Sequence, residues 1–216
     1  MKKELSRQAG CMCSDECLIL KSNEKIPAAC PTKTSSTILE EALGECQREG
    51  SCARVLWQAF SRLVGSGGAQ RSRLEHIIEF SRSAGYKRIG LAGCASYLKQ
   101  MDLIKRIFKR YGFASIYFCC KVGDTHFMDI DIPKKSNWTL CNPMGQALLL
   151  NDWGADLNVQ LGLCMGHDLI FNYYSQAPVT VLVVKEKITD DNPMATLNAI
   201  ENNEFECNPY LVEETF

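Results

Sequence analysis

The hydrophobic pattern of the chain changes character near residue 86. Before that point, apolar positions recur at helical spacing between clear breaks; after it, short β-rich runs alternate with helical stretches. Thr37 and Glu40 stand at capping-box spacing and predict a helix over 37–47, with a second over 53–64. Gly65-Ser66-Gly67-Gly68 then breaks the chain, and a third helix carries Leu74, Ile77, Ile78 and Ser81 on one side before stopping at Gly85. Residues 1–34 show neither period. They hold polar and small residues with Pro27 and Pro31, and read as a loop-like segment that needs an external organiser.

From Lys87 the alternation predicts a mostly parallel sheet. Strands are expected over 88–92, 113–119, 156–163 and 179–185. The last is a run of consecutive Val and Leu suited to a strand buried on both faces. Between them lie a helix over 95–111 with Leu98, Met101, Ile104 and Phe108 on one stripe, closed by Gly112, and a helix opened by Asn142-Pro143 that reaches about Asp152. A short helix over 166–175 completes the series. The expected fold class is α/β, a sheet of about four strands with helices on both faces. The expected division is a cysteine-rich segment over 1–34, a helical region over 35–85 and an α/β domain over 86–216.

Composition limits what such a chain can be. It has 216 residues, 46% of them hydrophobic, enough to bury a core without disulfides. The net charge of −1, with scattered Lys and Arg, argues against nucleic acid and against a membrane surface as partners. The apolar run from Val179 to Val184 is far too short to span a bilayer. No apolar stretch follows the lysines of Met1-Lys2-Lys3-Glu4, so the expected location is cytoplasmic. In a reducing compartment, 12 cysteines point to metal ligands, catalytic thiols or small buried hydrophobes rather than to bridges.

Two groups of cysteines stand out. Cys94 follows the first strand, Cys120 ends the second, Cys141 precedes a helix and Cys164 follows the third strand. The carboxyl ends of parallel strands share one edge, where helix N-termini favour thiolates. There the four cysteines line a cofactor-binding crevice in this reading. Cys164-Met165-Gly166-His167-Asp168 adds catalytic candidates: Cys164 as nucleophile, His167 as base or metal ligand, and Asp168 orienting the histidine or capping the helix. Lys121 stands beside Cys120, where its charge favours that thiolate. The second group, Cys11, Cys13, Cys17 and Cys30, lies in the loop-like segment and suits a metal held by four thiolates, either Zn2+ or an iron-sulfur cluster. Cys119 alternates to the opposite face and reads as core. Cys46, Cys52 and Cys207 read as structural, His76 as a solvent-side residue and His126 as an ordinary loop residue.

The stretches Cys141-Asn142-Pro143-Met144-Gly145-Gln146-Ala147, Gly162-Leu163-Cys164-Met165-Gly166-His167-Asp168 and Ala177-Pro178-Val179-Thr180, with N-terminal cysteines ending in Cys30-Pro31, resemble a family of uncharacterised microbial proteins labelled only as predicted metal-binding. The resemblance covers most of the chain. It implies metal ligands among Cys11, Cys13, Cys17 and Cys30, and importance for Cys94, Cys120, Cys141, Cys164, His167 and Asp168. The chain differs from the family pattern in its first cysteines, where Cys11-Met12-Cys13 replaces a wider spacing. The leading expectation is a metal-binding protein with a thiol-lined crevice in redox or sensing work. One alternative is a thiol-dependent enzyme in which Cys164 attacks, His167 is the base and Cys94, Cys120 or Cys141 resolves; another is a structural or sensory module. The expected partner is an unidentified small molecule or a redox protein.

Overall fold

The computed structural model describes residues 11, 17, 26–64, 71–126, 139–202 and 204. The chain divides into two compact units, Met1–Arg62 and Leu63–Phe216. In the first, α1 (Pro31–Thr34) runs almost directly into α2 (Ser36–Gln47), and α3 (Cys52–Val64) follows the left-handed turn at Gly50. The expected capping box of Thr37 and Glu40 is not the cap of α2. Ser35 holds that position, with its N–H donated to the Pro31 carbonyl and its backbone away from the extended geometry that lets a cap side chain reach forward. A capping box does form at α4 (Arg73–Ser83), where the Ser72 hydroxyl accepts from the Glu75 N–H and the Glu75 carboxylate accepts from the Ser72 N–H.

The second unit is an α/β fold on four parallel strands: β1 (Arg88–Gly93), β2 (Ala114–Cys119), β3 (Leu157–Leu161) and β4 (Val179–Val183), in the order β2-β1-β3-β4. A 3₁₀ turn (Ala95–Tyr97) and α5 (Leu98–Arg110) join β1 to β2. Helix α6 (Pro143–Trp153) crosses to β3, α7 (Met165–Tyr174) leads to β4, and α8 (Pro193–Glu201) follows; the periodicity had not suggested α8.

The pleat of the central strands divides the core in two. Ile89, Leu91, Leu157, Val159 and Leu161 pack with Ile77 and Ile78 of α4 and Met101, Ile104 and Phe108 of α5. Ala92, on the other face, joins Ala147 and Leu150 of α6 and Phe171 of α7. Each fully buried Leu, Ile or Phe contributes about 1.5–3 kcal/mol, so both faces matter to stability. Gly90 is needed on the second face, because a Cβ there would sit 2.7 Å from Leu150 Cδ2.

Two strands differ from expectation. The Val-rich β4 touches both cores through Val179 and Leu182 but lies at the sheet edge, only half-buried. The fully buried strand is β3, Leu-Asn-Val-Gln-Leu, whose Asn158 and Gln160 are completely enclosed on the α6 and α7 side. It ends at Leu161 because Gly162 turns left-handed (φ 57°) to admit the Tyr97 ring; a Cβ at Gly162 would lie 2.2 Å from that ring.

Candidate functional site

The strand order creates a switch point. From β1 the chain leaves toward β2, and from β3 it leaves toward β4, so a crevice opens between the carboxyl ends of β1 and β3, where open α/β sheets bind ligands. Cys94 stands directly after β1 and precedes the 3₁₀ turn; Cys164 is the N-cap residue of α7. Cys120 follows β2, and Cys141 lies one residue before Asn142, whose side chain caps α6 by accepting from the Gly145 N–H at 2.8 Å. The Asn142-Pro143 helix start therefore fixes where Cys141 falls.

The four sulfurs form two unlike pairs. Lys185, two residues beyond the end of β4, donates from Nζ to Cys94 Sγ at 3.2 Å and to Cys164 Sγ at 3.5 Å. Cys141 and Cys120 meet with their sulfurs 3.6 Å apart, and the Ala95 N–H donates to Cys120 Sγ at 3.4 Å. Burial opposes ionisation of Cys94, but the Ser96 N–H and hydroxyl together with the Lys185 ammonium outweigh it, and the thiol falls to about 7. Cys120 goes the other way. It is 2% exposed, and burial, aided by the thiol and charge of Cys141 and the charge of Cys94, pushes it up to about 12 against the single Ala95 N–H. Burial also works against the charge on Lys185, and the two thiols facing it hold its ammonium form more firmly than usual.

Two further side chains shape the edge. The Tyr97 hydroxyl donates to Asp191 Oδ2 at 2.5 Å, while Asp191 Oδ1 accepts from the Glu186 N–H at 3.1 Å. Asp190 and Asp191 both adopt left-handed backbone, so this turn is strained and needs such anchoring. The anchor fixes the segment that carries Lys185. Gln146, wholly buried in α6, donates to the Gly93 and Phe118 carbonyls at 3.1 and 2.7 Å and so ties together the ends of β1 and β2.

His167 and Asp168 lie in the first turn of α7. Burial, then the charges of Lys185 and Lys121, hold the His167 imidazole below its usual range. Cys164 Sγ takes its hydrogen bond from Lys185 rather than from this ring. Burial raises the Asp168 carboxyl, and its Oδ1 is enclosed without a hydrogen-bond partner among the described residues. Cys119 packs with the α4 and α5 core, away from Cys120.

In the N-terminal segment Cys11 and Cys17 are exposed and Cys30 is partly so, while Cys13, like Cys207, lies outside the described residues. Hydrogen bonds from the Thr32 hydroxyl and N–H lower the Cys30 thiol. Among the described residues no three His, Cys, Asp or Glu groups are arranged to hold a metal. In the crevice the cation that meets both Cys94 and Cys164 is the Lys185 ammonium.

Sequence reasoning overlooked Lys185, Tyr97, Asp191 and Gln146. Lys185 closes the fourth apolar run as Cys94 and Cys120 close theirs, and Gln146 interrupts the apolar helix Pro143–Trp153; those were the available signals.

Fold and site together define a doubly wound α/β domain with a thiol crevice at its switch point. Residues 30–182 match the family described as Protein of unknown function (DUF1847), and the chain belongs to that family. It is also 39% identical over 126 residues to uncharacterized protein MJ0455 of Methanocaldococcus jannaschii, an alignment that covers 57% of this chain and 65% of that relative. No helix among the described residues is long and apolar enough to cross a membrane.

Proposed function

We propose that the second unit is a thiol-dependent enzyme domain acting on a small electrophilic molecule, with Cys94 as nucleophile in the switch-point crevice. The observation that carries this reading is Lys185 Nζ, 3.2 Å from Cys94 Sγ and 3.5 Å from Cys164 Sγ. A thiolate is the attacking form of cysteine, and a fixed ammonium keeps it populated near neutral pH. In such an attack the sulfur electron pair forms the new bond, and the displaced pair moves onto the electrophile. The Lys185 ammonium and the free N–H groups at the start of α7 are placed to receive that charge. Relative to the sequence expectation, Cys94 takes the attacking role from Cys164 and Lys185 the activating role from His167. The test is competitive alkylation of the native protein at pH 7 with peptide-level readout. The reading predicts that Cys94 is modified first; a Cys94 no faster than the remaining accessible thiols contradicts it.

A second reading, metal binding, draws on the N-terminal segment. Cys11, Cys13, Cys17 and Cys30 put four thiols within 11–30 of a polar stretch, and Cys11 and Cys17 are open to solvent. Four thiolates suit either zinc or an iron-sulfur cluster. Elemental analysis and a visible spectrum of anaerobically purified protein test it. Stoichiometric zinc or iron that is lost on Cys17→Ser supports it, and folded protein purified without either metal contradicts it.

A further inference from the structure

The pair that meets no cation among the described residues invites a different chemistry. Cys120 and Cys141 are 21 positions apart, yet the backbone around them is drawn together at several points. The Asn142 N–H donates to the Cys120 carbonyl at 2.7 Å, the Leu140 N–H to the Thr125 carbonyl at 2.6 Å, and Lys121 Nζ to the Thr139 carbonyl at 2.5 Å. His126 and Thr139 add an antiparallel bridge. These bonds hold the two cysteines side by side, and their sulfurs already face each other at 3.6 Å. The backbone bond from Asn142 to Cys120 and the 3.6 Å sulfur separation bring the pair close to a disulfide, which needs Cα atoms about 4.4–6.8 Å apart and an S–S bond of about 2.0 Å.

The alternatives for Cys120 are poorer. Cys119 packs on the opposite face of the sheet, and Cys94 is engaged by Lys185 and Ser96. Access is also asymmetric: Cys141 is half-buried, whereas Cys120 is enclosed. Stepwise exchange needs an attacking thiol that the small disulfide can reach and a second thiol within reach of the mixed disulfide.

We propose that Cys120 and Cys141 form a reversible disulfide by exchange with a low-molecular-weight disulfide of the glutathione class. Cys141, as thiolate, attacks one sulfur of the small disulfide; that S–S bond breaks and one half leaves as a thiolate. Cys120 attacks the Cys141 sulfur of the mixed disulfide, breaking its S–S bond, and its proton passes to the second half as that half leaves. Two protein thiols become one disulfide, and one small disulfide becomes two thiols, so two electrons and two protons balance. The bond joins the residue after β2 to the residue before the N-cap of α6, beside the crevice, and leaves Cys94, Cys164 and Lys185 chemically unchanged. The proposal stands whether or not Cys94 is a nucleophile.

The experiment treats the full chain with oxidised glutathione, quenches it in acid, alkylates the remaining thiols and maps the peptides. The wild-type protein and Cys119→Ser are run together, because Cys119 shares a peptide with Cys120. The expected product links Cys120 to Cys141, is lighter by two hydrogens, reverts with dithiothreitol, and forms equally in Cys94→Ser and Cys164→Ser. Cys120 and Cys141 remaining free, each carrying a separate glutathione, or Cys120 linked instead to Cys94 overturns the proposal. Failure of Cys94 as nucleophile is read separately, from its alkylation rate, and leaves this result untouched.

Discussion

Cys94 and Cys120 occupy equivalent places, each just past the end of a parallel strand, yet their thiols move in opposite directions, to about 7 and to about 12. Both are opposed by burial. Cys94 meets an ammonium, a hydroxyl and an N–H, whereas Cys120 meets one N–H and another thiol. A strand end at a ligand-binding edge therefore does not activate a thiol by itself. The groups that arrive from neighbouring elements, here β4 and the 3₁₀ turn, decide which sulfur ionises.

Removing the ammonium is the strongest way to break the contrast. Lys185→Met returns Cys94 toward or above the ordinary thiol value of about 8.5. Lower thiolate population outweighs higher intrinsic nucleophilicity, so alkylation of Cys94 at pH 7 slows about 5- to 10-fold. Peptide-resolved iodoacetamide kinetics measure it, and Cys120 should stay inert in both proteins.

A milder perturbation acts through the anchor. Tyr97→Phe removes a hydrogen bond to a carboxylate and leaves the Lys185 segment less fixed, so Cys94 slows about threefold while its midpoint rises less than in Lys185→Met. Rescue of the rate at low ionic strength, where a loosely held ammonium still acts at a distance, distinguishes positioning from misfolding. In Gln146→Leu the Phe118 carbonyl loses its side-chain donor, and urea unfolding should show a loss of about 1–3 kcal/mol. With the Gln146 bridge between the ends of β1 and β2 removed, the separation between Cys94 and Cys120 reactivity narrows. The smallest effect is expected at Gln160, whose amide oxygen and nitrogen are buried with no partner among the described residues. Gln160→Met should change stability by less than about 1 kcal/mol, toward stabilisation, and leave both thiols as they were.

Much of the architecture was legible in the sequence. Strand-helix alternation, with Gly85, Gly112 and Asn142-Pro143 as punctuation, was enough for four parallel strands covered on both faces, since those signals are local. The order β2-β1-β3-β4 was not legible, because hydrogen-bonded neighbours are chosen by tertiary packing. That is why the Val-rich run of β4 read as a strand buried on both faces, whereas the structure gives that burial to Leu-Asn-Val-Gln-Leu and puts β4 at the edge. The same limit applies to the site. Residues ending strands could be placed on one edge from sequence, but which sulfurs meet depends on the order. Lys185 lies 91 positions from Cys94, beyond the reach of any spacing argument. The capping pattern at Thr37 shows the converse: α1 set the chain's direction before that local signal could act.

The most direct test follows the ionisation of Cys94 itself. Its folded value lies below that of an unfolded thiol, so the stabilisation the thiolate draws from the Ser96 N–H and hydroxyl and from the Lys185 ammonium is fully present above the unfolded value of about 8.5 and is lost as pH falls through about 7. Alkylation of native protein between pH 5 and 10, resolved by peptide, should give Cys94 a midpoint near 7 and leave Cys120 unreactive until the alkaline end. A Cys94 midpoint at or above the ordinary thiol range, or one indistinguishable from that of Cys120, contradicts the assignment of the crevice to a Lys185-held thiolate.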